Sequence, residues 1–571
     1  MVQALRTFPL RGRLTGFGSV SPELAFAIRY AVCTSLAIWI GHLPGLVTNQ
    51  GTWILITVMI VAQPESGGSL LKGLLRAVGT LAAAIIAIVL FGLFSQDPPL
   101  LLASLFLVQA IGAYGFSGAR YQYAWFVFAF TTAIVLGSAM SGTGAVETIA
   151  FQRATMVGLG LLIVFVADML LWPARTDARV RASLAARARS IGIALREAID
   201  PSAARQSDAS EKPASPLAGQ LGQIAAARAE IGVTGARAEI LQDTAILLEA
   251  AASRARSLRV APSTEEAPTD SSSSLARAQL AFASQLEAAL EEIAAALEAQ
   301  RAPAPFAIDL EAACAQVESE LAVLRKQSAT PAAVEGRIAN LRDLVSLFQT
   351  LQHAFDAMIE WKKKPRKEFN AARIRGWLRA DPFRMQGALR AGIAVAAALL
   401  IPASLGWNTN TLVAPIAFLV AAIPTRGGVT QMLVALVVVL SLGWLFADLA
   451  IVYISPVLGR MPLALVHVAA VAGTLAYVSA KKPQLGALRM IGGLVALLTV
   501  YGGPEAPTNV YGPYDTVCYF ALGLAVGWVS THLFWPATAA TLFRKRTAAQ
   551  LELCLAAFRG SAPGEIGRAH V

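Results

Sequence analysis

Apolar residues in this chain come in long runs rather than in alternation. Runs near the roughly 20 residues that a helix needs to cross a bilayer fall at 22–41, 47–62, 73–94, 98–116, 122–140 and 152–172. After a long polar interval they resume at 386–405, 409–423, 428–452, 461–479, 485–501 and 516–535. This pattern predicts an all-α polytopic membrane protein with two groups of six transmembrane helices. The interval at 175–385 follows a different rule. Leu275, Phe282, Leu286, Leu290, Ile293 and Leu297 recur at helical spacing, as do Val334, Ile338, Leu341, Val345, Phe348, Phe355 and Met358, so each set lines one face of a helix. Stretches rich in Ser, Pro and Ala at Ser202–Pro216 and Ala261–Ser274 separate such helices. The expectation is a small antiparallel α-helical bundle in the cytoplasm, acting as a spacer or as the seat of a homodimer, with a ligand sensor as the alternative.

Composition agrees. The chain has 571 residues, 56% hydrophobic and only 15% charged, where a soluble domain is about one quarter charged, so most of its surface must face lipid. The formal net charge is +11. A basic excess can mean nucleic acid, anionic lipid or the bias of cytoplasmic loops toward Lys and Arg, and position decides. Arg6, Arg11 and Arg13 precede the first run, Lys72 and Arg76 follow the second, Arg120 the fourth, and Arg175, Arg179 and Arg181 the sixth. The second group repeats this with Arg426, then Lys481 and Lys482, then Arg544, Lys545 and Arg546. The alternate loops hold almost none, Arg153 and Arg460 being the exceptions. Topology therefore accounts for the charge without nucleic acid, and both termini are expected in the cytoplasm of a bacterial cell, inside the inner membrane.

The two groups also correspond residue by residue. Arg29 pairs with Arg390, Asn49 with Asn410, Pro64 to Gly68 (Pro-Glu-Ser-Gly-Gly) with Pro424 to Gly428 (Pro-Thr-Arg-Gly-Gly), and Leu171-Trp172-Pro173-Ala174 with Phe534-Trp535-Pro536-Ala537, at offsets of 361, 361, 360 and 363. Six helices per group with a cytoplasmic linker give both groups one orientation, hence a parallel repeat about an axis along the membrane normal. The expected organisation is a cytoplasmic N-terminus (1–21), a first six-helix half (22–174), the cytoplasmic bundle (175–385), a second half (386–537) and the start of a further cytoplasmic segment (538–564). Residues 565–571 read as the translation of a sequencing adapter, and residues 1–20 lack the apolar core and cleavage site of a removable signal peptide.

Enzyme signatures are missing from the sequence: there is no phosphate-binding loop, no nucleophile elbow and no His-Glu-x-x-His. The four cysteines and five histidines have no metal-ligand spacing. No cofactor, metal or catalytic residue is expected. What remains are charges inside apolar runs, each costing about 2.5–3.5 kcal/mol at mid-membrane. Arg29, Arg76, Arg390 and Arg489 all fall within about two turns of the cytoplasmic ends, and at one depth they would form a funnel for an organic anion, since each guanidinium offers a planar fork to a carboxylate. The alternative is snorkelling to lipid headgroups. Asp168, in the last turn of the sixth run, is a proton acceptor or counter-charge. Pro64, Gly67, Gly68, Pro424, Gly427 and Gly428 are expected to break two helices, freeing backbone groups that must line protein or water. Gly523 and Gly527 permit close packing, read as internal. Replacing Arg29 or Arg390 by Gln is expected to leave folding intact while weakening carboxylate export.

Gln63-Pro64, Lys72, Arg76 and Gly79-Thr80, with the Trp-Pro that closes each half and the six-plus-six layout, resemble the fusaric acid resistance protein (FUSC) family, which includes the bacterial aromatic acid exporters. The likeness covers both membrane halves. Lys72 stands where the family pattern has a second arginine, and the second half lacks the basic-Gly-Thr element after Pro424. The resemblance implies a proton-driven exporter of aromatic or other small organic carboxylic acids, working with a periplasmic adaptor and an outer-membrane channel. A passive anion channel and a membrane-tethered scaffold are the alternatives.

Overall fold

The computed structural model describes residues 20–43, 51–118, 121–142, 144–172, 176–199, 217–229, 235–260, 274–301, 381–407, 412–423, 425–454, 461–501 and 511–558, with positions 315, 319 and 322. Every regular element among them is helical. This is the outcome lipid demands, because a helix satisfies its backbone groups within its own segment. In chain order the first group is α1 (Pro22–Gly41), α2 (Thr52–Val61), α3 (Ser66–Phe94), α4 (Pro98–Gly118), α5 (Gln122–Met140) and α6 (Val146–Leu170). Then come α7 (Thr176–Ile199), α8 (Leu217–Ala229), α9 (Gly235–Val260) and α10 (Ser274–Ala299). The second group is α11 (Pro382–Ser404), α12 (Val413–Ala421), α13 (Arg426–Leu449, prolonged by a π-helical turn to Ile454), α14 (Met461–Lys481), α15 (Gly493–Tyr501, preceded by a π-helical turn Leu488–Gly492) and α16 (Tyr511–Leu533), with α17 (Ala539–Phe558) last.

Eight of these helices are long and apolar enough to cross a membrane, α1, α3, α4, α5, α6, α11, α13 and α14. Their ends follow local chemistry rather than hydropathy. Ser21 caps α1, its Oγ accepting from Leu24 N, and Asp381 caps α11, accepting from Phe383 N, each with Pro at the first helical position. That is why α11 begins four residues before the apolar run does. Likewise α3 begins at Ser66, seven residues early, directly after the interruption at Pro64. Gly67 and Gly68 lie inside the first turn of α3, and Gly427 and Gly428 inside that of α13, whose cap is Thr425. The described residues between the helices are therefore 62–65 in the first group and 422, 423 and 425 in the second, and the paired glycines lie within helices. Pro424 lies outside the described residues.

The chain divides into two compact units, one formed by Met1–Pro64, Lys72–Pro173 and Phe369–Val571, the other by Glu65–Leu71 and Ala174–Glu368. In the first unit α2 packs against α1 and α6, and α12 packs against α11 and α16. The two groups interlock: α14 lies along α1, and α4 lies along α11. In the second unit α7 to α10 enclose one apolar core that includes Leu184, Leu195, Leu248, Leu286, Leu290 and Ile293. The side chains of Leu275 and Phe282, and the face from Val334 to Met358, lie outside the described residues. Arg189 on α7 bridges Glu291 and Glu298 on α10, and this hydrogen bonding holds the Glu298 carboxyl below its ordinary range.

Close helix contact rests on matching glycines. A Cβ at Gly160 of α6 would stand 2.7 Å from Thr57 Cβ and 3.0 Å from the Ile54 carbonyl oxygen of α2. One at Gly523 of α16 would stand 2.8 Å from the Val413 oxygen and 2.9 Å from Ile416 Cβ of α12, so this glycine serves packing within the chain. Gly160→Ala is expected to destabilise the protein by about 1–3 kcal/mol, the usual cost of overpacking. Gly158→Ala, two residues away with open space around it, should be neutral or mildly stabilising. Thermal unfolding in detergent compares the two, and equal melting temperatures would disprove the packing argument.

Candidate functional site

A helix end leaves carbonyls without intrahelical partners, and the end of α2 shows where they go. Tyr30 Oη donates to Met59 O, the Gln63 side-chain amide to Ile60 O and Ala62 O, Arg489 Nη1 to Ala62 O at 3.1 Å, and Arg29 Nη2 to Gln63 O and Pro64 O, each at 2.9 Å. Arg29 also meets the end of α6: its Nη1 donates to Trp172 O at 3.4 Å, and its Nε pairs with Asp168 Oδ1 at 3.0 Å. Trp172 turns the chain there with φ +45°, and Trp535 does so after α16 with φ +44°, a backbone region that costs an L-residue about 1–2 kcal/mol. Arg29 is buried and sits where three helices converge, with its charge neutralised.

Arg390 occupies the corresponding place in the second group, donating from Nε to Ala421 O at 2.9 Å and from Nη2 to Ile423 O, past the end of α12. The position matching Asp168 holds Thr531, whose hydroxyl donates to Gly527 O. Among the described residues no carboxylate lies at ion-pair distance from Arg390. The two arginines thus share a backbone role and differ in charge balance.

The other sequence candidates gather along α2. Arg489, in the π-helical turn before α15, faces the rings of Phe26 and Tyr30 at 5.2 and 4.9 Å, and its Nε has no hydrogen-bond partner among the described residues. Arg76 of α3 donates to Thr57 Oγ1 and Tyr123 Oη, both at 3.2 Å. It therefore lies deeper than Arg489, by five residues or about 7.5 Å along α2, so the four arginines do not share one depth. Sequence reasoning passed over two further cations. Lys72 stands over the Tyr123 ring at 5.4 Å, the same residue whose hydroxyl accepts from Arg76. Arg153 of α6 stacks on Trp53, near the start of α2, with Cζ 3.5 Å from the ring centroid. Trp53 and Tyr123 are far from these cations in the sequence, and no spacing links the pairs. The signal that could have exposed one is Arg153 itself, a basic residue on the side where the loops have almost none.

Arg489, Lys72, Arg76 and Arg153 have no carboxylate at ion-pair distance among the described residues, and the three arginines are buried. Such charges are expensive in a membrane, and here aromatic faces and a few hydroxyl and carbonyl contacts offset only part of that cost. The net result is a positive, aromatic-lined strip, the chemistry that attracts an anion carrying a ring.

Comparison with known proteins bears on what such a strip serves. The fusaric acid resistance protein family (FUSC) matches the chain over residues 23–566. The p-hydroxybenzoic acid efflux pump subunit AaeB of Enterobacter cloacae subsp. cloacae is 27% identical over 173 residues, 28% of this chain and 25% of that protein. An uncharacterized protein of Escherichia coli, YhfK, is 31% identical over 172 residues, 29% of this chain and 23% of that protein. The matched stretches thus span about a quarter of each of these relatives.

Proposed function

The chain belongs to the fusaric acid resistance protein family, a multi-pass membrane protein by its eight spanning helices, and on that premise we propose that it exports aromatic carboxylic acids from cytoplasm to periplasm, driven by the proton gradient. The observation that carries this reading is the strip along α2, where Arg489, Lys72 and Arg76 have no carboxylate at ion-pair distance among the described residues and stand beside Phe26, Tyr30 and Tyr123. The relative whose name states an aromatic acid substrate supports the same class. Arg489 and Arg76 hold the substrate carboxylate, Arg29 and Arg390 hold helix ends around it, and Asp168 is the resting counter-charge of Arg29.

The transport unit is two copies of a six-helix repeat related by a pseudo-twofold axis along the membrane normal. Support comes from the shared caps at Ser21 and Asp381, the paired carbonyl clamps of Arg29 and Arg390, the left-handed Trp172 and Trp535, the matched glycines 160 and 523, and the exchange in which the fourth helix of each group packs on the first of the other. The Lys and Arg distribution supports an orientation with both termini and the second unit in the cytoplasm. A periplasmic adaptor and an outer-membrane channel complete the export route, as the family resemblance implies.

Inverted inner-membrane vesicles containing the protein should accumulate radiolabelled p-hydroxybenzoate when a proton gradient is imposed, and an uncoupler should abolish the accumulation. Uptake no greater than in vesicles lacking the protein would refute export. Uptake that equilibrates equally fast with or without the gradient would instead favour a passive channel.

A further inference from the structure

We infer that Arg153 and Trp53 form a second binding station for the same aromatic carboxylates, at the end of α2 opposite Arg489. The inference rests on the exporter reading above and adds to it a site that neither the sequence pattern nor the relatives assign.

Position comes first. Along α2 the cations contact Trp53 (Arg153), Thr57 (Arg76) and Ala62 (Arg489), successive steps of about 6 and 7.5 Å at 1.5 Å per residue. Trp53 and Thr57 are one turn apart and so share a face, which sets the contact points of Arg153 and Arg76 side by side on α2. An anion leaving Arg76 away from Arg489 therefore meets Arg153 next. A single deep site would hold an anion too firmly to release it, whereas adjacent sites of like charge let it pass from one to the next.

The geometry of Arg153 is that of a receptor rather than a clamp. Only 2% of the residue is exposed, and among the described residues its guanidinium is assigned no hydrogen-bond acceptor. Arg29 and Arg390, the two clamps, both spend their donors on helix-end carbonyls. The Trp53 ring, 3.5 Å from Cζ, offers the guanidinium a π-face but no hydrogen-bond acceptor, so its N–H groups remain to be satisfied by a ligand. A carboxylate can take two of these in parallel. Packing alone would be served by an apolar residue at position 153 at far lower cost.

Two measurements test this. In the first, exchange of radiolabelled p-hydroxybenzoate against unlabelled internal substrate is followed in right-side-out and in inside-out vesicles, so that each membrane face loads in turn. Arg153→Gln and Trp53→Leu should each raise the half-saturating concentration about tenfold from one face and leave the other within twofold. Equal change at both faces, or none at either, overturns the station. In the second, the purified protein is heated with p-hydroxybenzoate or with neutral p-hydroxybenzyl alcohol. The acid should raise the melting temperature, and each variant should lose a large part of that rise; a full rise in both variants overturns the station even if exchange is slow. A wild-type protein that binds the acid through Arg153 yet exchanges none would refute export and leave the station standing. Should Arg153→Gln fail to fold, Trp53→Leu, which keeps the charge, decides alone.

Discussion

Arg489→Gln is expected to lower carboxylate transport about 10- to 100-fold, with little effect on transport of neutral p-hydroxybenzyl alcohol. The size follows from the contacts. A hydrogen bond to a charged group is worth about 1.5–3 kcal/mol, and each 1.4 kcal/mol is tenfold. Arg489 donates to one carbonyl, Ala62 O, and keeps a buried Nε unpartnered among the described residues, so its loss removes charge from the strip while disturbing the fold by one hydrogen bond. Arg489→Lys should recover little, because a point charge replaces a planar fork. The π-helical turn that carries it is the kind of local unwinding often found at functional positions, and it rotates the guanidinium toward Phe26 and Tyr30 of the neighbouring group. Vesicle uptake of the acid and the alcohol, at matched membrane expression, makes the comparison. Equal losses for both compounds would mean that Arg489 supports the structure and does not select the anion.

The apolar runs were legible in the sequence because lipid imposes a length and a polarity that water-facing loops do not share; a helix lies within each, but only eight of these helices, against the twelve expected, are long and apolar enough to cross a membrane. Their ends were less legible. Hydropathy falls off at Ser66-Gly-Gly-Ser69 and at Pro382 to Met385, yet caps and prolines let the helices continue through those polar turns. The paired glycines illustrate a related error: a Gly-Gly in sequence suggests a break, but in the first turn of a helix, beside a proline or a Thr cap that already fixes the start, it continues the helix. Arg29 and Arg390 were recognisable as a matched pair, since the offset alone shows it. What they touch was not, because the carbonyls of residues 63, 64, 421 and 423 become available only where α2 and α12 stop and turn against α1 and α11. The cation and ring pairs along α2 were the least legible of all. Trp53 and Arg153 are separated by one hundred positions, and only the packing of α6 on α2 through Gly160 brings them together.

Breaking the Arg29–Asp168 pair should be the most damaging single change to stability. Both side chains are buried, at 4% and 8% exposure, and 3.0 Å apart, so removing one partner takes a directly paired opposite charge away from a buried group in a medium that cannot hydrate it. The cost of such a break is about 3–5 kcal/mol. Arg29→Gln and Asp168→Asn should each lower the melting temperature sharply and reduce the amount of folded protein in the membrane, against the expectation from sequence alone that Gln would be tolerated at position 29. The double variant should recover most of the loss, because neither charge then remains buried. Arg390→Gln provides the internal comparison. With Thr531 in place of a carboxylate, it removes hydrogen bonds to Ala421 and Ile423 but strands no opposite charge, and the loss should be smaller, about 1–3 kcal/mol. A double-mutant cycle on thermal unfolding in detergent reads the coupling directly. If the effects of Arg29→Gln and Asp168→Asn simply add, the pair is not a structural unit. Arg29 would then be free to meet substrate, and the division of labour between clamping and binding arginines would have to be redrawn.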